Sequence, residues 1–144
     1  METPARTLQP SRLMPQPLHL IALVATLPLF LGALMADIAY GRSEQIQWTN
    51  FASWLLVGAQ VMATIALLLA AIDHLRGRRM ARGGLYLLLL AVAWVLGLVN
   101  NFVHAMDAFQ KMPQATICSL LCTLIVLGLV WWAFWGHRMG RAPA

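Results

Sequence analysis

Four long stretches of almost uninterrupted apolar residues alternate with short polar segments along the chain. They cover approximately residues 18–40, 51–75, 85–109 and 116–135. At a rise of about 1.5 Å per residue, a helix of about twenty residues crosses a hydrocarbon core of about 30 Å. Each stretch is therefore predicted to form one transmembrane α-helix.

The polar segments between the stretches are short. The first and third contain about ten residues or fewer, and the middle one is turned by Gly77, Gly83 and Gly84. Connections of this length place consecutive helices side by side in opposite directions. The predicted fold is all-α, one antiparallel four-helix transmembrane bundle over residues 18–137. Residues 1–17, with four prolines, and residues 138–144 are predicted to be cytoplasmic tails.

The composition agrees with a bilayer as the solvent. Hydrophobic residues make up 60% of the chain, charged residues make up 10%, and the mean hydropathy is +0.71. These values are far from those of an ordinary soluble domain.

The basic residues predict the orientation, because Lys and Arg in short loops stay on the cytoplasmic side during insertion. Only Arg42 and Lys111 lie in the first and third connections. The remaining basic residues fall in the tails and the middle connection: Arg6, Arg12, Arg76, Arg78, Arg79, Arg82, Arg138 and Arg141. Both termini are therefore predicted to be cytoplasmic. The net charge of +5 then reflects topology, and no nucleic-acid partner is expected.

Polar residues inside the spans predict a pocket in the outer half of the bundle. On the third span, Gly97, Asn100, His104 and Asp107 recur at helical spacing and share one stripe. Buried polar groups in hydrocarbon need partners, so they should converge inside the bundle. The predicted cluster comprises Asp37, Gln60, Asn100, Asn101, His104 and Asp107. It is either a binding or proton-handling site, with a carboxylate orienting His104, or a hydrogen-bond cluster that fixes helix register.

Three histidines fall near the cytoplasmic ends of the spans: His19, His74 and His137. Histidines on facing helices can hold a b-type haem, and together with Asp73 they can hold a transition metal. The alternative is that these side chains reach the lipid headgroups. The metal, if there is one, is not specified by the sequence.

Several segments resemble a bacterial family of small four-span membrane proteins of unknown function. The likeness lies in residues 17–23, 34–38, 70–73, 98–100 and 135–137. The first span of that family opens with a histidine-proline and valine-histidine-phenylalanine-proline signature and ends in an aspartate. Here the first histidine is missing and Leu20-Ile21 replaces the phenylalanine-proline pair. The motif positions carried over are His19, Asp37, Asp73, Asn100 and His137. The resemblance implies a four-span bundle in a bacterial inner membrane, and it implies no established activity.

The phosphate-binding glycine loops, the nucleophile elbow and the His-Glu-x-x-His motif are all missing from the sequence. The sequence therefore predicts a small non-catalytic inner-membrane protein, a subunit or scaffold of a membrane assembly, with a membrane protein or a second copy as partner. One alternative is a quinone-linked electron carrier with haem b between His19 and His74. Another is a transporter or channel subunit with a polar path in its outer half.

Overall fold

The computed structural model of the chain describes residues 17–76, 83–106 and 112–139, with side chains in the last helix described as far as Trp135. These residues form four α-helices: α1 (Pro17–Ser43), α2 (Ile46–Leu75), α3 (Gly83–His104) and α4 (Gln114–Met139). Each is long and apolar enough to cross a membrane, and no described residue lies in a β-strand. The predicted all-α, four-helix fold is confirmed, whereas the orientation of the termini stays a prediction.

The first connection is shorter than the polar pattern suggests. The polar residues 41–50 belong mostly to helix, since α1 continues to Ser43 and α2 begins at Ile46. Glu44 has a left-handed backbone with φ 54°, and its N–H donates to the Tyr40 carbonyl over 2.8 Å. This cap ends α1 and turns the chain. A helix satisfies its own backbone hydrogen bonds, so it can continue beyond the apolar stretch.

The helices form a ring in chain order. Among the described residues, α1 and α3 each pack against α2 and α4, and no close backbone contact joins α1 to α3. Because consecutive helices run in opposite directions, α1 and α3 are parallel and diagonally opposed. Any contact between them must be made by side chains that cross the core.

α1 and α3 share one register across that diagonal. Among the described residues, two side-chain hydrogen bonds join them, and each links residues 67 positions apart, His19 with Tyr86 and Asp37 with His104. The same offset relates the buried positions between these pairs, namely Leu23 and Leu90, Thr26 and Ala93, Phe30 and Gly97, and Ala33 and Asn100. The core therefore has a polar contact near each end, about 27 Å apart along the helices, with mostly apolar layers between them.

The exterior of the bundle is apolar. Large hydrophobic side chains on all four helices point outwards, including Trp54 with 77% of its surface exposed and Phe102 with 65%. A soluble monomer rarely exposes apolar surface on this scale, whereas in a bilayer the same side chains contact acyl chains. The surface is thus suited to lipid.

Candidate functional site

Four buried polar side chains form a closed ring of hydrogen bonds near the outer end of the bundle. The outer end is the one that holds the α1–α2 connection and is predicted to face outside. Asp37 comes from α1, Asn100 and His104 come from α3, and Ser119 comes from α4. Asp37, Asn100 and Ser119 are fully buried, and His104 is 6% exposed. We call these four residues the outer polar ring.

The Asp37 carboxylate contacts two members of the outer polar ring, His104 and Ser119. Its Oδ1 lies 2.8 Å from His104 Nε2, and its Oδ2 accepts a hydrogen bond of 2.6 Å from the Ser119 hydroxyl. Ser119 Oγ accepts a bond of 3.0 Å from Asn100 Nδ2. The ring closes where the backbone carbonyl of Asn100 lies 3.0 Å from His104 Nδ1. These contacts tie α1 to α3 across the diagonal and to α4 beside it.

Counting donors shows that Asp37 and His104 share one proton. A carbonyl oxygen can only accept, so His104 Nδ1 carries a proton and donates to Asn100. The bond between His104 Nε2 and Asp37 Oδ1 then holds one further proton, on either atom. In both arrangements the pair has no net charge, which limits its desolvation cost. The short Ser119 bond is typical of an ionised acceptor and favours carboxylate with imidazolium.

Gln60 and Asn101, both predicted members of the cluster, bond elsewhere. Gln60 Nε2 donates to the Trp94 carbonyl over 3.1 Å, and Trp94 Nε1 donates to Thr64 Oγ1 over 2.8 Å. These bonds link α2 to α3 near the middle of the bundle. Asn101 Nδ2 donates to the Gly97 carbonyl of its own helix over 2.8 Å. The structure thus brings together Asp37, Asn100 and His104, and places Gln60 and Asn101 beside them.

A second buried histidine lies near the inner end. His19 is 3% exposed, its Nδ1 lies 3.0 Å from the Ala66 carbonyl, and its Nε2 lies 2.7 Å from the Tyr86 hydroxyl. Nδ1 must therefore donate to the carbonyl, and Nε2 of the neutral ring accepts from Tyr86. Trp132 packs edge-on against Tyr86, with ring centroids 6.4 Å apart. Both ring nitrogens of His19 thus have protein partners.

The other residues singled out from the sequence are more scattered. His74 is exposed near the end of α2, whereas His19 is in the core. Asp107 lies outside the described residues, and the side chain of His137 does so too. Within the described part of the chain, no group of three or more His, Cys, Asp or Glu side chains is arranged to hold a metal ion.

Sequence reasoning did not assign Ser119 or Tyr86 to these polar contacts. Helical spacing offers a signal for Tyr86, because it lies on the same stripe of α3 as Gly97, Asn100 and His104. No comparable signal marks Ser119, since its role depends on how α4 faces Asp37.

Gly97 makes room for the contacts between these polar groups. A Cβ added at Gly97 would lie 2.6 Å from Gln60 Oε1 and 3.0 Å from Phe30 Cζ. Gly97→Ala is therefore expected to lower the free energy of unfolding by about 1–3 kcal/mol through overpacking. Thermal unfolding in detergent, followed by dye labelling of the buried thiol of Cys122, measures the change.

Gly128→Ala is the matched control for Gly97→Ala, because nothing lies within 4 Å of a Cβ added at Gly128. We expect the control to unfold at the wild-type temperature or slightly above it. Equal stability of the two alanine variants would contradict the close packing at Gly97.

The fold and the polar contacts define a class: a multi-pass helical membrane protein with a buried acid–histidine pair. A family model described as "Predicted membrane protein (DUF2231)" matches residues 15–141. The chain belongs to this family, in agreement with the predicted membership of an uncharacterised membrane family. Comparison with curated proteins and with solved structures gave no match.

Proposed function

We propose that this protein is a small, non-catalytic membrane subunit that holds one exchangeable proton at the Asp37–His104 pair. The observation that carries the proposal is the 2.8 Å contact between two ionisable side chains that are both buried between helices. Ionisable residues inside a membrane segment are costly to bury, and they commonly mark sites of proton or ion handling.

Proton exchange at this pair should be coupled to a second event. If the shared proton leaves, a net negative charge stays in the core, where an unbalanced charge costs several kcal/mol. A change in helix packing, or in a partner bound to the bundle, would have to compensate. Loss or gain of the shared proton would thus change how the bundle binds a partner, which is the role we propose for it as a subunit of a membrane assembly.

The position of the pair favours access from the outer end. His104 is the last residue of α3, and Asp37 lies about 9 Å before the end of α1 at the helical rise. Towards the inner end, the core is filled by apolar side chains such as Leu23, Phe30 and Leu90. We therefore assign proton exchange to the outer side of the bundle.

Nitrogen-15 NMR of histidine-labelled protein in sealed proteoliposomes tests the proposal. In the wild type, both ring nitrogens of His104 should carry protons, and the Nε2 proton should exchange with deuterated water added outside. In Asp37→Asn, the new amide can donate to Nε2 and accept from Ser119, so His104 should carry one proton less. The assignment fails if His104 has the same protonation in both proteins, or if the Nε2 proton exchanges only after unfolding.

The other roles predicted from the sequence stay predictions. Purification from native membranes in mild detergent tests for a partner protein or a second copy. A visible absorption spectrum of the same sample tests for haem b bound through His19 and His74, because bound haem gives a strong Soret band. Ion flux into proteoliposomes, compared between the wild type and His104→Ala, tests the transporter or channel alternative.

A further inference from the structure

Two buried side-chain oxygens, one in the outer polar ring and one on α2, have no hydrogen-bond donor in the described part of the chain. They are Oδ1 of Asn100 and Oε1 of Gln60. Asn100 is fully buried, and its amide points into the outer polar ring, where Nδ2 contacts Ser119. A buried carbonyl oxygen without a donor costs about 1–3 kcal/mol, so each of these two cases requires an explanation.

Reversing either amide does not supply the missing donor. The single proton of the Ser119 hydroxyl goes to Asp37, so Ser119 can only accept from Asn100. The Trp94 carbonyl can only accept as well, so it requires the NH₂ group of Gln60. In both side chains the partner of the NH₂ group sets the orientation of the amide, and the carbonyl oxygen is left without a hydrogen-bond donor.

Both side chains are found at the core-facing stripe of α3. Gln60 Oε1 sits against Gly97, where an added Cβ would be 2.6 Å away, and Asn100 follows Gly97 by about one helical turn. Phe30 from α1 meets the same glycine, since its Cζ would be 3.0 Å from that Cβ. The missing side chain at Gly97 thus lets polar groups from α2 and α3 approach each other inside the core.

We propose that this place is an internal water site, in which one or two water molecules donate hydrogen bonds to Asn100 Oδ1 and Gln60 Oε1. Buried waters typically bridge polar groups of this kind. With water present, hydrogen bonds run from Asp37 through Ser119, Asn100 and Gln60 to Trp94. The site goes beyond the proposed proton function, because it extends the polar contacts from the outer end to the middle of the bundle.

Hydroxyl-radical labelling by X-ray pulses in water enriched in oxygen-18 tests the site on the full chain in lipid bilayers. Radicals form from bound water and modify side chains next to it, so Phe30 should be labelled although it is fully buried. Gln60→Met keeps the length of the side chain and removes the acceptor, and it should reduce Phe30 labelling several-fold. In Gly128→Ala the added methyl group has no atom within 4 Å, so Phe30 should be labelled to the same extent as in the wild type.

Unlabelled Phe30 in the wild type, or equal labelling in Gln60→Met, overturns the water site. Reactivity of the buried Cys122 thiol towards a dye checks that each variant is folded. If Gln60→Met makes this thiol reactive, Gln60→Leu takes its place in the experiment. His104 should remain doubly protonated in Gln60→Met. Failure of the water site and failure of the proton site are therefore separate results.

Discussion

Replacing Asp37 with alanine is expected to lower the free energy of unfolding by about 3–5 kcal/mol, the usual cost of removing one partner from a buried ion pair. The substitution removes the acceptor for both His104 Nε2 and the Ser119 hydroxyl. Both groups are buried between the helices, so neither has bulk solvent as a replacement acceptor in the folded bundle. Unfolding of the purified protein by increasing fractions of a denaturing detergent, followed by tryptophan fluorescence, measures the loss.

Asp37→Asn separates the charge of this residue from its hydrogen bonds. Asparagine has nearly the same shape, and it can donate to a neutral His104 while accepting from Ser119. We expect it to stay within about 1 kcal/mol of the wild type, because each buried polar atom keeps a partner. If Asp37→Ala unfolds at the same detergent fraction as Asp37→Asn, the outer polar ring does not stabilise the bundle.

Replacing Phe30 with alanine is expected to have the next largest effect. Phe30 is fully buried and packs on Gly97 at the level where α1, α2 and α3 meet. In a soluble core, such a substitution costs about 3–5 kcal/mol from lost transfer energy and from the cavity left behind. In a bilayer the unfolded reference is also apolar, so the cavity dominates and we expect a value near 3 kcal/mol.

Leu31→Ala is the matched control for Phe30→Ala. Leu31 is the next residue along α1 but is 46% exposed on the lipid-facing side. Its truncation leaves no cavity in the core, so a change below about 1 kcal/mol is expected. Both variants are measured by the same detergent titration. Similar losses for the two would mean that Phe30 has no special role in packing.

Both large effects come from the same physical arrangement. Without a hydrophobic force between helices in lipid, the bundle depends on close packing and on polar contacts between helices. Phe30 on Gly97 supplies the first, and Asp37 with His104 supplies the second. The acid–histidine pair can be buried because it carries no net charge as a unit.

The sequence by itself determined the number of helices and the general position of the polar contacts. Long apolar stretches can satisfy their backbone hydrogen bonds in lipid only as helices, so hydropathy alone predicts four spans. The stripe of Gly97, Asn100 and His104 follows from helical periodicity. Asp37 could be expected near His104, because each lies near the C-terminal end of its helix and the first and third spans of an up-and-down bundle run in the same direction.

The tertiary structure alone decided which side chains meet. The contact of α1 with α3 across the diagonal depends on the order of helices around the ring and on their common register. Rotation of each helix about its axis brings Ser119 and Tyr86 into the polar contacts, turns Gln60 towards Trp94, and leaves His74 exposed. These rotations result from side-chain packing among all four helices, which no local pattern in one helix specifies.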